Sequence, residues 1–117
     1  MVKLVALLRR KRSLSHEEFL RYWREQHTPL ILGLEDFGRF LKRYVHGYPA
    51  GEFAADATGG EPFDASAEMY FEDLEEMGRA FSLPSYLERI RPDEERFLDL
   101  SRCVALVVTE VEILDAT

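Results

Sequence analysis

An imidazole on the apolar side of a helix is the group in this chain best suited to moving a proton. It is His27, four residues after Trp23 and two before Pro29 in the run Tyr22-Trp23-Arg24-Glu25-Gln26-His27-Thr28-Pro29-Leu30. With Phe19 at zero and about 100° per residue, Trp23 falls at about 40°, Leu30 at about 20° and His27 at about 80°. Leu20 and Ile31 complete the stripe, while Glu17, Glu18, Arg21, Arg24, Glu25 and Thr28 fill the other side. An inward titratable ring needs a polar partner or a pocket. A core histidine bonded to a backbone carbonyl meets that need, and so does a general acid–base in an apolar site.

Other chemistries find less support. His16-Glu17-Glu18-Phe19-Leu20 begins like a zinc-protease helix but lacks the second histidine. His16, His27 and His46 fall on different elements or faces, so no metal site is expected, and His16 is placed in solvent near a helix start. Gly59-Gly60 has neither a preceding strand nor a following lysine, so no phosphate loop is expected. No nucleophile elbow, cysteine–histidine pair, or flavin or nicotinamide fingerprint is present, and no cofactor is expected. What remains is a cofactor-independent acid–base inventory. Apolar walls would take a hydrophobic ligand, and Tyr44, His46 and Tyr70 are candidates to steady a developing enolate. Strand residues of this type are often only core or interface residues.

The composition narrows the partners. The chain has 117 residues with 46% hydrophobic and 32% charged, which fits one globular domain spanning 1–117. A net charge of −7 argues against nucleic acid and anionic membrane surfaces. The basic run Arg9-Arg10-Lys11-Arg12 reads as a solvated turn at a strand end. No apolar run has membrane-spanning length, and the start does not read as a signal peptide. Cys103 is a lone cysteine in an apolar strand pattern, which suits a buried thiol and a reducing cytoplasm.

These residues need elements to hold them. Lys3 to Leu8 reads as a strand apolar on both faces, hence interior to a sheet. Ser15 and Glu18 form a capping box, with Leu14 and Phe19 as its hydrophobic staple, opening a helix to about Leu32. Pro29 leaves the Glu25 carbonyl without a donor, which predicts a kink or a tightened last turn. Gly33 and Gly38 punctuate a connection to a second strand, Leu41 to Tyr48. Its Lys42, Tyr44, His46 and Tyr48 share one face, Arg43, Val45 and Gly47 the other. Pro49 to Ser66 is a long irregular segment, a lid or a surface excursion. Ala67 to Phe71 is the third strand. Asp73 with Glu76 caps a helix whose stripe is Leu74, Met77 and Phe81. Ser85 with Glu88 opens another piece, broken near Pro92 and resuming through Phe97 and Leu98. Cys103 to Ile113 is the last strand. The order β-α-β-β-α-β predicts an α+β, ferredoxin-like fold: a four-stranded antiparallel sheet with helices on one face. Its uncovered apolar face calls for a second copy of the chain.

The run Lys3 to Arg10, followed by Leu14 to Leu30, closely resembles the opening of the EthD family. Its most diagnostic element is Phe19, Tyr22, Trp23, His27, Pro29 and Leu30 in order. Arg43-Tyr44-Val45, Glu68-Met69-Tyr70-Phe71 and Asp93 to Asp99 around Phe97 extend the resemblance. It implies a homodimeric α+β barrel and a pocket between helices and sheet into which His27 points. Named members are tied to ether degradation, and relatives include decarboxylases and dehydratases of fungal aromatic polyketides. Related barrels include lactone isomerases, polyketide cyclases and cofactor-free monooxygenases. This chain carries Tyr70 where relatives often have tryptophan. The expectation is a cofactor-independent enzyme handling a hydrophobic, carbonyl-bearing metabolite. In it His27 would be the acid or base, with Trp23, Tyr44, His46, Tyr70 and Phe97 around the substrate. A non-catalytic ligand-binding or accessory protein is the rival reading.

Overall fold

A computed structural model describes residues 1–51 and 61–117. Part of the expected Pro49 to Ser66 excursion, residues 52–60, lies outside the described residues. Four strands form one sheet: β1 (Val2–Leu8), β2 (Arg43–Gly47), β3 (Ala65–Phe71) and β4 (Val104–Val108), in the order β2-β3-β1-β4. Every neighbouring pair is antiparallel. The ferredoxin-like topology is thus the one expected, and β1, apolar on both faces, sits between two partners.

Pairing explains where the strands stop. β3 starts earlier than expected, at Ala65, because it meets the far end of β1 at Leu8. β4 ends at Val108 rather than at Ile113, because Val108 pairs with Lys3 and only Val2 of β1 lies beyond it. Val111, Ile113 and Leu114 are left exposed.

Helices cover one face. α1 (His16–Tyr22) begins with the full capping box: Glu18 donates its backbone N–H to Ser15 Oγ at 3.1 Å, and Ser15 N–H donates to Glu18 Oε1 at 2.9 Å. Such a cap is worth about 1 kcal/mol. After Tyr22 the turn before Pro29 does not tighten. It widens into a π-helical turn, Trp23–His27, and continues as α2 (Thr28–Leu32). The Thr28 N–H reaches back five residues to the Trp23 carbonyl, and Thr28 Oγ1 donates to the same oxygen at 2.7 Å. The extra residue makes room for the proline ring, and two donors on one carbonyl hold the wide turn.

The Gly33 to Gly38 stretch is not a bare connection but contributes to α3 (Glu35–Phe40), which buries Phe37. α4 (Leu74–Phe81) is capped by Asp73 as expected, but Leu74 is exposed and Ala80 takes its place in the core. Ser85 is not a side-chain cap: its backbone is helical and its hydroxyl donates to the Asp36 carboxylate of α3 at 2.8 Å. A second π-helical turn, Tyr86–Ile90, leads into α5 (Arg91–Phe97), with Arg91 N–H donating to the Tyr86 carbonyl. It too lies just before a proline, Pro92.

The core divides into two clusters. Ile31, Phe37, Phe71, Met77, Tyr86 and Ile90 anchor one, and Leu8, Phe19, Trp23, Phe97 and Leu98 the other. Burying each large side chain stabilises the fold by roughly 1.5–3 kcal/mol relative to leaving it in water. The opposite face of the sheet carries Lys3, Val5 and Leu7 of β1, Glu68 and Tyr70 of β3, and Leu106 of β4, and among the described residues no helix covers it. Among the described residues no helix is long and apolar enough to cross a membrane.

Candidate active site

His27 is 3% exposed and ends the first wide turn, so its ring is carried inward between α5 and the sheet. Its partner is a carboxylate, not a backbone carbonyl: Nδ1 lies 2.7 Å from Asp93 Oδ2 across 66 residues of sequence. Asp93, itself buried, accepts a second hydrogen bond on Oδ1 from the Tyr22 hydroxyl at 2.6 Å, with Arg96 Nη1 at 3.5 Å. Burial first, and then this bond to the carboxylate, push the Tyr22 phenol up. Its proton therefore stays in place to be donated. A carboxylate only accepts, so the proton between the two rests on Nδ1 and leaves Nε2 with a lone pair. Nε2 makes no hydrogen bond to any described residue.

His27 lines a cavity of about 80 Å³ where the two core clusters meet. The space is several times the roughly 10–15 Å³ one water needs, so it admits a small organic fragment. Its walls include Leu4, Ala6 and Leu8 of β1, Ala67 and Met69 of β3, and Ile31 and Phe81. Set in this apolar lining are His27, Trp23, Tyr44, Tyr86, Glu94 and Phe97. The Phe97 ring lies 4.8 Å from the His27 ring and fixes its tilt. Burial pushes the Tyr44 phenol up to about 12, so it remains a donor. Burial also pushes Glu94 up, opposed by the Tyr86 hydroxyl, which donates to its Oε1 at 2.9 Å. Among the described residues no three histidine, cysteine or acidic side chains gather as a metal site.

The structure thus brings Trp23, His27, Tyr44 and Phe97 together. His46 stands behind the wall: its ring stacks on Trp23 at 3.6 Å and 13°, with Tyr48 Oη 3.0 Å from Nδ1. Tyr70 is elsewhere. Ala67, Met69 and Phe71 of β3 face the helices, so by strand alternation Tyr70 faces the open side. There it donates to Glu110 at 3.0 Å beneath the Arg43 guanidinium. His16 is not free in solvent either, since its Nδ1 lies 2.8 Å from buried Asp64. The half-buried Cys103 thiol, pushed up mainly by burial, sits against Arg9 just before β4.

Asp93, Tyr86 and Glu94 are the site residues the sequence reading passed over. Acidic residues just after Pro92 look like ordinary first-turn complements to a helix dipole. The available signal was their spacing: Asp93 and Glu94 stand between Ile90 and Phe97 at helical intervals, on the stripe that faces the core.

His46 gives the site a pH dependence. Burial, then the charges of His27 and Arg24, lower its pKa from 6.5 to about 4. Between those values the unfolded chain binds the extra proton and the folded one does not, so stability falls as pH drops through that window. Calorimetry from neutral to acid pH is expected to show a shallower loss of melting temperature for His46→Phe, which keeps the stack on Trp23. Parallel curves would contradict this assignment.

The family model described as EthD domain matches residues 11–101. The conidial pigment biosynthesis dehydratase EthD of Metarhizium robertsii is 25% identical over 113 residues, covering 91% of this chain and 80% of the relative. The crystal structure of an ethyl tert-butyl ether degradation-type (EthD) family protein from Bacillus halodurans superposes with a TM-score of 0.70. That pair shares 21% identity over 95% of this chain and 99% of the other. The hydroxynitrile lyase of Passiflora edulis also gives 0.70, at 19% identity over 97% and 96%. A model match over most of the chain, on the fold just described, establishes that the protein belongs to the EthD family.

Proposed function

We propose that the chain is an acid–base enzyme of the lyase or isomerase kind, acting on a hydrophobic, carbonyl-bearing small molecule. The observation that carries this reading is the buried Asp93–His27 pair, which holds Nδ1, leaves Nε2 unbonded and lines an apolar cavity. A carboxylate that orients an imidazole fixes its tautomer and stabilises the imidazolium formed when it takes a proton. Nε2 would take a proton from the carbon beside the substrate carbonyl. Tyr44, a donor in the same cavity, would support the enolate oxygen. Two similar proteins, a dehydratase and a hydroxynitrile lyase, carry names of lyase chemistry, which supports the reading.

The same reading takes a second copy of this chain as partner. The sheet face that no described helix covers exposes Leu7 and Leu106, the latter 63%. Around them Lys3 bridges Glu68 and Glu110 at 3.0 and 2.7 Å, a polar network already paired and ready for burial.

The site is tested by deuterium exchange from solvent at the α-carbon of small ketones, followed by NMR. Folded His27→Gln is expected to lose about 10²–10⁴ in rate, as a removed general base should. Asp93→Asn should lose activity with it, because an amide can donate to Nδ1 and place the proton on Nε2. Full exchange by His27→Gln would contradict the proposal. Tight ketone binding without exchange in the wild type would favour a ligand-binding protein. Sedimentation is expected to show a dimer at micromolar concentration and a monomer for Leu106→Arg. A monomeric wild type would contradict the second-copy assignment.

A further inference from the structure

We infer that Glu94 is the second catalytic group of this cavity, the acid that protonates a departing hydroxyl, and that the substrate is a β-hydroxy carbonyl compound that loses water. The inference rests on His27 as the base.

Four observations lead to it. Glu94 and His27 line one cavity whose other walls are largely hydrocarbon. Oε1 of Glu94 is held by the Tyr86 hydroxyl at 2.9 Å, with Arg91 Nη1 at 3.5 Å, while Oε2 has no hydrogen-bond partner among the described residues. Burial raises the pKa of Glu94, so the carboxyl keeps a proton further toward neutrality than an exposed one does. Its side chain is still 19% exposed, which gives the spent carboxylate a route to recover a proton from solvent. An imidazole whose proton is held on Nδ1 by Asp93 and a carboxyl with one unbonded oxygen, both lining the same cavity, form a complementary pair. Acids and bases with separated environments are how one site takes a proton at one atom and gives one at another.

The reaction balances. Nε2 of His27 takes the α-proton, and the electron pair of that C–H bond becomes the new C=C bond by way of the enolate. The C–O bond at the β-carbon breaks, and its oxygen takes the Glu94 proton and leaves as water. An α,β-unsaturated carbonyl compound remains. His27 then returns its proton to solvent and Glu94 takes one back. Tyr86 acts as a positioning residue, aiming the carboxyl through Oε1.

The test uses diacetone alcohol, a small β-hydroxy ketone, whose conversion to mesityl oxide is read by ultraviolet absorbance. Deuterium exchange at its α-carbon is read on the same molecule by NMR. Its acetate ester provides a leaving group that departs without protonation. Glu94→Gln keeps an oxygen for the Tyr86 bond, and thermal melting checks that it folds. The expected result is a loss of water elimination of about 10²–10⁴ for Glu94→Gln, with far smaller losses of exchange and of acetate elimination. Unchanged water elimination in Glu94→Gln would overturn the role of Glu94. So would an equal fall in all three rates, which marks a structural part. A wild type that exchanges the α-proton but eliminates neither group overturns the substrate class while leaving His27 as base. A wild type that does neither overturns the base and this inference together.

Discussion

The hydrogen bond from His27 Nδ1 to Asp93 Oδ2, 2.7 Å long and buried, joins the first helical segment of the chain to α5. A carboxylate in an apolar interior is costly unless its lone pairs are engaged. Here the His27 ring and the Tyr22 hydroxyl engage both oxygens. The bond thereby constrains three things at once: the packing of α5 against the first helices, the tilt of the imidazole against Phe97, and the tautomer that gives the cavity its base. Losing either partner leaves a buried polar group unmatched, so the same contact serves the fold and the chemistry.

Two wide turns put the groups where that bond needs them. Trp23–His27 and Tyr86–Ile90 each widen before a proline, Pro29 and Pro92, whose missing N–H and bulky ring disfavour a regular turn. In each case the extra residue shifts the following side chains around the helix. The first turn carries Trp23 and His27 to the cavity. The second supplies Tyr86 and sets the start of α5, which brings Asp93 to His27 and Glu94 to the cavity edge. The repetition of one backbone device on the two sides of one small space accounts for the site's compactness.

Much of the architecture was legible because short-range rules act on it strongly. The doubly apolar β1 had to be central, the Ser15–Glu18 box had to start a helix, and the amphipathic stripe had to turn His27 inward. Strand alternation also separates Tyr70 from Met69 and Phe71, so its place on the open face was available from parity alone. What could not be read is the contact between distant segments. Asp93 looks like a helix-start charge until the wide turn before it fixes its direction. The end of β4 at Val108 depends on where β1 begins, which is a property of the pairing and not of the Val111–Ile113 pattern. Pro29 announced a disturbance, but whether the turn tightened or widened was decided by Thr28, whose two donors both reach the Trp23 carbonyl.

The most direct measurement is the tautomer of His27, read from long-range proton–nitrogen correlations of nitrogen-labelled protein at a pH where the ring is neutral. The expected result is a proton on Nδ1 and a pyridine-like Nε2, with the two nitrogens made alike or reversed in Asp93→Asn. A wild-type ring protonated on Nε2 would contradict the account, because the nitrogen not held by Asp93 would then be a donor and His27 could not begin the reaction as a base.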